Sequence, residues 1–328
     1  MRRELKVEVE RFPVAGRFTI ARGSRTEIVV VTATIGEGGA RGRGECVPYA
    51  RYGETVESVS GLIESLREPI EAGLSRTALQ EALPAGAARN ALDCALWDLE
   101  AKLTGVPAHV AAGIDRLAPV TTAYTISLDT PEAMAEATAR AAFRPILKIK
   151  LGAPDGDLER IAAVRAAAPD ATLIADANEG WTEANLADHL AACAAAGFAL
   201  IEQPVPADRD AILTGRPRDV MICADESLHD RHGLPGLVGR YDAINIKLDK
   251  AGGLTEALAL ADEAQRLGFS IMIGCMLGTS LAMAPGMLIA PKARFVDLDG
   301  PLLLASERQN GLRYDGSTVY PPASSLWG

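Results

Sequence analysis

Basic runs are missing from this chain of 328 residues, and acidic side chains outnumber basic ones by 43 to 33, for a net charge of -10. That balance argues against nucleic acid or an anionic membrane surface as a partner. Cysteine is sparse: five residues, an odd number with no CxxC pairing, fit thiols in a reducing cytoplasm better than a disulfide framework. No apolar run reaches the ~20 residues of a bilayer span. The longest late one, Leu281 to Ala290, is broken by Pro285 and Gly286, and the opening MRRELKVEVE alternates charged and apolar groups with no signal-peptide core. A soluble, cytoplasmic protein is expected. There is no HExxH pattern, and His229 and His232 lie in a segment that reads as an exposed loop or helix start. The glycines Gly36 to Gly39 sit in a hairpin turn, and no helix opens at a GxGxxG, which leaves no phosphate cradle.

What is present is a periodic series of apolar runs, each ending in a charged or small polar residue. It starts at Ile146 to Leu151, where a period of two puts Ile146, Lys148 and Lys150 on one face and Leu147, Ile149 and Leu151 on the other. Two inward ammonium groups on a buried strand are costly unless anions or chemistry need them; the competing reading is an edge strand with a solvated lysine face. Further runs span Thr172 to Asp176, Ala199 to Glu202, Met221 to Asp225, Ala243 to Lys247, Ser270 to Cys275 and Phe295 to Asp299. From Lys150 through Asp176, Glu202, Asp225, Lys247 and Cys275 to Asp297 the steps are 26, 26, 23, 22, 28 and 22 residues, the period of a βα unit. Helical patterns lie between, such as Leu254, Ala257, Leu258, Ala261 and Ala264, stopped by Gly268. With Val120 to Ile126 the strands number eight, which predicts an α/β fold of the (β/α)8-barrel type with its active site at the carboxyl ends of the strands.

Residues 1–113 read as a separate α+β capping domain, 114–300 as the barrel, and 301–328 as a segment returning to the cap. Lys6 to Val14, Glu27 to Ile35 and Arg41 to Cys46 alternate as strands, and Thr55 to Ala72 and Ala87 to Leu103 are helical. Between the first two strands, Arg17 to Thr26 reads as a loop hinged at Gly23, a lid whose Arg22 and Arg25 could meet an anionic substrate group; a solvated basic turn is the alternative. Val47 to Gly53 is a second lid candidate.

Asp176, Glu202 and Asp225 end three consecutive strands, so a barrel brings them to one side of its mouth within reach of one ion. Three carboxylates and no histidine suit Mg²⁺, with pairing to neighbouring helices as the alternative. Asn178 shares a face with Asp176 and is expected to support that ligand or a bound water. Lys150 precedes the trio and Lys247 follows it, an order suited to moving a proton between two faces of a bound group. A proton α to a carboxylate leaves only if the enediolate charge is stabilised, which a divalent ion supplies. A lysine base must also titrate well below its reference pKa of about 10.4, and metal, burial and Lys148 are the expected causes. A simpler reading pairs Lys247 with Asp249. Lys250, just beyond, reads as a loop cation.

The Lys148-x-Lys150 pair, Asp176-Ala177-Asn178, Glu202-Gln203-Pro204, Asp225-Glu226-Ser227 and Asn245-Ile246-Lys247 resemble, in order, the barrel motifs of the muconate-lactonizing subgroup of the enolase superfamily. Lysine bases with Mg²⁺ are a known device of that superfamily. Asp297-Leu298-Asp299 is similar to the pair with which dipeptide epimerases hold a substrate's α-ammonium, and Ile20 to Glu27 and Cys275 to Ser280 are similar to the lid and seventh-strand loops of L-Ala-D/L-Glu epimerases. An ordinary polar strand end is the alternative for the two aspartates.

The resemblance implies Mg²⁺-dependent epimerisation of a dipeptide such as L-Ala-L-Glu by 1,1-proton transfer, with Lys150 serving the L configuration and Lys247 the D. It implies that Thr125, Cys275, Met276 and Leu277 line the dipeptide site, that Asp297 and Asp299 hold the amine, and that Arg22 or Arg25 meets the glutamate side chain. It implies a setting in murein peptide breakdown. The partner is then a small dipeptide, with no nucleic acid or membrane, and whether the chain forms a homo-oligomer stays open. An o-succinylbenzoate synthase or cycloisomerase would use the same lysines and metal, leaving Asp297 and Asp299 unexplained. A non-catalytic barrel binding peptide or metal is the remaining class.

Overall fold

Alternating apolar and charged residues at the start of the chain build an antiparallel sheet of β1 (Glu4–Ile20), β2 (Gly23–Glu37) and β3 (Ala40–Cys46), in that order. The structure is a computed structural model describing residues 3–217 and 219–328; Met1 and Arg2 of the expected cap, and Arg218, lie outside the described residues. Pairing of β1 with β2 shifts register between Pro13 and Phe18 and then resumes as Phe18 with Arg25, Thr19 with Ser24 and Ile20 with Gly23. The expected lid loop at Arg17 to Thr26 is therefore the tip of a long hairpin. Proline has no N–H to give the ladder, which accounts for an irregularity near Pro13, and β-branched Thr19, Ile20 and Thr26 favour its resumption.

Gly42 and Gly44 let the helix Ala87–Thr104 lie directly on β3: a Cβ at either would stand 2.1 Å from a helix carbonyl, that of Ala95 or Ala91. The helix meets the sheet with small residues of its own, Ala87, Ala88, Ala91 and Ala95, all buried. The helical stretch expected at Thr55 to Ala72 divides into Val56–Ser65 and Arg67–Glu71. Pro69 explains the break, since its ring would clash with the carbonyl four residues earlier.

The expected strand Val120 to Ile126 also divides. Its first part, β4 (Val120–Thr121), pairs with a C-terminal hairpin, and only β5 (Tyr124–Ile126) joins the barrel. The barrel continues through β6 (Ile146–Lys150), β7 (Thr172–Asp176), β8 (Phe198–Glu202), β9 (Met221–Ala224), β10 (Ala243–Ile246), β11 (Ser270–Ile273) and β12 (Phe295–Val296), parallel and in sequence order. A bridge between Thr122 and Val296, with the Ala123 N–H donating to the Val296 carbonyl at 2.7 Å, joins the last strand to the first. β13 (Tyr314–Asp315) and β14 (Thr318–Val319) form the hairpin against β4.

Period-two alternation sorts the barrel residues as the sequence predicts. Ala123, Ile174, Leu200, Cys223, Ala243, Met272 and Phe295 fill the interior, while Leu147, Ile149 and Leu151 join the core between strands and helices. Burying each large aliphatic side chain stabilises the fold by about 1.5–3 kcal/mol. Register then sets the site: Lys150 pairs with Asp176, and Asp176 with Glu202, in one row above the apolar plug.

Beyond β12 the chain touches the cap again. Ala305 N–H donates to the Pro13 carbonyl at 2.8 Å, Trp327 Nε1 to the Cys94 carbonyl at 3.0 Å, and Gly328 N–H to Asp98 at 2.7 Å.

Candidate active site

Four ammonium groups and four carboxylates meet at the strand ends. Lys148, 2% exposed, has its Nζ 2.7 Å from Glu202 Oε2, 2.7 Å from Asp297 Oδ2 and 3.4 Å from Asp176 Oδ2. Lys150 donates to Asp176 Oδ2 at 2.6 Å, and Lys247 to Asp225 Oδ2 at 2.6 Å. Lys250, expected as a loop cation, is instead buried with its Nζ 2.5 Å from Asp225 Oδ1. The reason is local: Lys247 is the N-cap of the one-turn helix Leu248–Ala251, which folds Lys250 back beneath Asp225. Asp249 does not pair with Lys247 either; it accepts from the Val47 N–H at 3.0 Å and from Asn90 at 2.9 Å, tying the barrel to the cap.

These charges set the titration of the cluster. Burial lowers the Lys247 pKa, but Asp225 and Glu202 outweigh it and hold the ammonium well above its ordinary value. Lys148 is raised in the same way, against burial, by Asp297, Glu202 and Asp176. Asp176 and Asp225 are lowered despite burial, chiefly by Lys150 and by Lys247 respectively, whereas burial and Asp176 leave Glu202 raised. Burial and the neighbouring Asp297 push Asp299 up to about 7.

Above the cluster lies a cavity of about 430 Å³ bounded by both halves of the chain. Of the residues predicted for the site, Lys150, Asn178, Asp225, Lys247, Cys275, Met276, Leu277, Arg22 and Arg25 line it. Lys148, Asp176 and Glu202 lie beneath its floor, sealed by burial. Asp297 reaches the cluster through Lys148, and Asp299 accepts from the Thr125 backbone N–H at 2.7 Å. Thr125 itself lines a neighbouring cavity that shares Phe18 with the first. β6 and β10 are the second and sixth strands of eight, so Lys150 and Lys247 project from diametrically opposed staves toward one space.

The two lid arginines differ in their commitments. Arg22 donates to Glu226 Oε1 at 2.7 Å, the Tyr49 hydroxyl at 2.9 Å and the Asn178 carbonyl at 2.9 Å, latching the hairpin tip to the barrel. Arg25 is exposed above the Tyr49 ring, 5.9 Å from its centroid. Arg51 and Glu179 form a two-pronged pair at 2.7 and 2.8 Å on the same rim.

Supporting residues that the sequence did not single out include Gln203, whose Oε1 accepts from the Asp225 and Ser227 N–H groups, and Asn245, which donates to Glu202 Oε1 at 2.7 Å. Both lie in strand-end motifs, and that proximity was the available signal. Asn178 supports Asp176 through its backbone N–H, at 3.0 Å.

As a metal site, the donor set fits a hard cation: three buried carboxylates from adjacent strand ends, with Glu202 Oε2 and Asp225 Oδ1 accepting no hydrogen bond of ordinary geometry. Their oxygens are turned toward the ammonium groups, and no three acidic, histidine or cysteine side chains form a ready cage among the described residues. No helix among those residues is long and apolar enough to cross a membrane.

Residues 2–111 match the mandelate racemase / muconate lactonizing enzyme N-terminal domain, and residues 130–319 the enolase C-terminal domain-like family. The chain belongs to the mandelate racemase / muconate lactonizing enzyme family of the enolase superfamily. It is 49% identical to the L-Ala-D/L-Glu epimerase of Escherichia coli over 95% of this chain and 98% of that one. It is 45% identical to an N-acetyl-D-glutamate racemase of a Pseudoalteromonas species, over 88% and 91%. A crystal structure of an Agrobacterium tumefaciens enolase family member with homology to dipeptide epimerases, holding sodium and L-Ala-L-Glu, superposes with a TM-score of 0.98 at 56% identity, over 99% and 100%. A dipeptide epimerase from Enterococcus faecalis, complexed with Mg and L-Leu-L-Tyr, superposes at 0.92 with 28% identity, over 100% and 99%. Within its family the chain stands with the dipeptide epimerases, and it is an isomerase.

Proposed function

We propose that the protein interconverts L-Ala-L-Glu and L-Ala-D-Glu by moving the α-proton of the C-terminal residue between two lysines. The observation that carries this reading is the placement of Lys150 and Lys247 on opposed staves of one cavity, because inversion requires removal on one face and return on the other. Lys150 takes or gives the proton of the L configuration and Lys247 that of the D.

Asp176, Glu202 and Asp225 would hold Mg²⁺, which supplies Lewis-acid stabilisation of charge on the substrate's terminal carboxylate. Asp225 and Glu202 raise the Lys247 pKa; a cation held by those carboxylates would lower it toward the range a base needs. Lys148, buried beneath the floor between Asp176, Glu202 and Asp297, supplies positive charge on the carboxylate side of the site rather than a proton carrier in the cavity. Asp297 and Asp299 supply negative charge for the α-ammonium. Arg25 reads the side-chain carboxylate, since the guanidinium of Arg22 is engaged by Glu226, Tyr49 and Asn178. Residues 1–113 serve as cap, 114–300 as catalytic barrel and 301–328 as the segment that ties them, in a cytoplasmic enzyme acting on murein-derived peptides.

A second substrate class is favoured by the relative that racemises N-acetyl-D-glutamate. It shares the glutamyl carboxylates but lacks an ammonium for Asp297 and Asp299. Proton NMR in D₂O with Mg²⁺ separates the two. Loss of the glutamate α-proton of L-Ala-L-Glu, with growth of the diastereomer's signals, supports the dipeptide reading. Preferential exchange in N-acetyl-D-glutamate refutes the roles given to the aspartates, and exchange in neither refutes the epimerisation itself.

A further inference from the structure

Outside the lysine and carboxylate cluster, a buried polar junction joins three parts of the chain. Glu45, on β3 of the cap, is 1% exposed. Its Oε1 accepts from the Thr279 N–H at 2.8 Å, and its Oε2 from the Thr279 hydroxyl and from Arg308 Nε at 2.9 Å. Arg308 also donates to Thr279 Oγ1 at 2.7 Å, and grips Glu10 of β1 with both terminal nitrogens at 2.8 and 2.7 Å. Thr32 of β2 closes the ring by donating to Glu10 Oε2 at 2.7 Å. The next residue is held too, for Ser280 donates through its N–H and hydroxyl to Glu307 Oε2 at 3.0 and 2.9 Å.

Thr279 ends the loop that begins with Cys275, Met276 and Leu277, which wall the cavity. Gly278 alone separates Thr279 from that wall in sequence. Gly278 sits against Glu45, where an added Cβ would lie 3.2 Å from Oε1, and Gly300 sits against Gly278, where a Cβ would lie 2.7 Å from its carbonyl oxygen. The junction therefore bears on the loop after β11 and, through Gly300, on the end of β12 that carries Asp297 and Asp299. Charge-assisted hydrogen bonds in a water-free setting are stronger and shorter than neutral ones.

We propose that Glu45 and Arg308 are positioning residues that seat Thr279, so that the cap sheet and the C-terminal segment together set the Cys275 to Leu277 wall and with it the affinity for substrate. This rests on the epimerase reading for its substrate but not for its structural half. Because none of the three side chains lines the cavity or touches Lys150 or Lys247, their loss weakens binding without altering the proton-transfer step.

The test compares Arg308→Lys, Thr279→Val and Thr279→Ser with the unaltered protein in the presence of Mg²⁺. One readout is amide hydrogen exchange over residues 275–280, and the other is the separate kcat and KM for L-Ala-L-Glu. The expected result is faster exchange in Arg308→Lys and Thr279→Val, KM raised about tenfold with kcat within about twofold, and both restored in Thr279→Ser. Unchanged exchange overturns the proposal, as does faster exchange with an unchanged KM, or a loss confined to kcat. If Arg308→Lys does not fold, Thr279→Val, which removes one hydroxyl, decides alone. An unaltered protein inert toward every dipeptide refutes the epimerase reading instead, and the exchange data then decide the seating of the loop.

Discussion

Replacing Lys150 and Lys148 separately distinguishes a base from a buried counter-ion two residues away on the same strand face. Lys150 lines the cavity and rests on Asp176, which also has Lys148 within 3.4 Å. Lys150→Ala therefore leaves Asp176 a cation and costs little stability, while it removes a proton carrier whose contribution is of order 10²–10⁴ in rate, about 3–5 kcal/mol of barrier. Lys148→Met does the reverse. It strips the cation from between Glu202 and Asp297, and breaking a buried pair from one side costs about 3–5 kcal/mol, a fall in melting temperature on the order of 10 °C. The assay follows the glutamyl α-proton of each pure epimer in D₂O alongside thermal unfolding. In Lys150→Ala, L-Ala-D-Glu continues to exchange through Lys247 while L-Ala-L-Glu keeps its proton and net epimerisation stops. The reasoning is refuted if Lys150→Ala epimerises normally, or if one-sided exchange appears in Lys148→Met instead.

Three further outcomes are expected. Chelator-treated protein given Mg²⁺ at 100 times its Kd gains about 2.7 kcal/mol of stability, read as a shifted unfolding midpoint, and Asp225→Asn abolishes the shift; equal midpoints would remove the metal from the site. Arg25→Met raises KM for L-Ala-L-Glu by roughly tenfold or more and spares a dipeptide with an apolar C-terminal residue, whereas Arg22→Met loosens the hairpin tip and lowers affinity for both; selective loss in Arg22→Met reverses the assignment. Asp93 is buried, which pushes its pKa from 3.8 up to about 6. A carboxyl raised on folding contributes stability that is complete below pH 3.8 and is lost as pH climbs through 6, here about 3 kcal/mol; urea midpoints at pH 4 and 7 should show a slope that Asp93→Asn flattens.

The strand-end acids were legible because a parallel barrel repeats one unit, so that position along the chain translates directly into position around the mouth. Asp176, Glu202 and Asp225 needed nothing more than the period. Their surroundings were not legible in the same way. Lys250 lies beyond the end of β10, where alternation no longer says which way a side chain points. The latch from Arg22 to Glu226 and the grip of Arg308 on Glu10 close over 204 and 298 residues, and nothing local encodes such encounters. Arg17 to Thr26 was misread as a loop because Gly23 suggests flexibility, whereas the pairing of Thr19 with Ser24 extends a sheet.

The return of residues 305–328 to the cap has a consequence for how the molecule is made. The buried indole of Trp327 bonds to Cys94 across 233 positions, and Arg43 reaches the carbonyl of Leu326 across 283. A cap that leaves the ribosome before the barrel waits for the whole barrel to be synthesised before these bonds can form. At about 5–20 residues per second that delay is some tens of seconds, during which the surface that Trp327 will cover stays open to solvent and to chaperones.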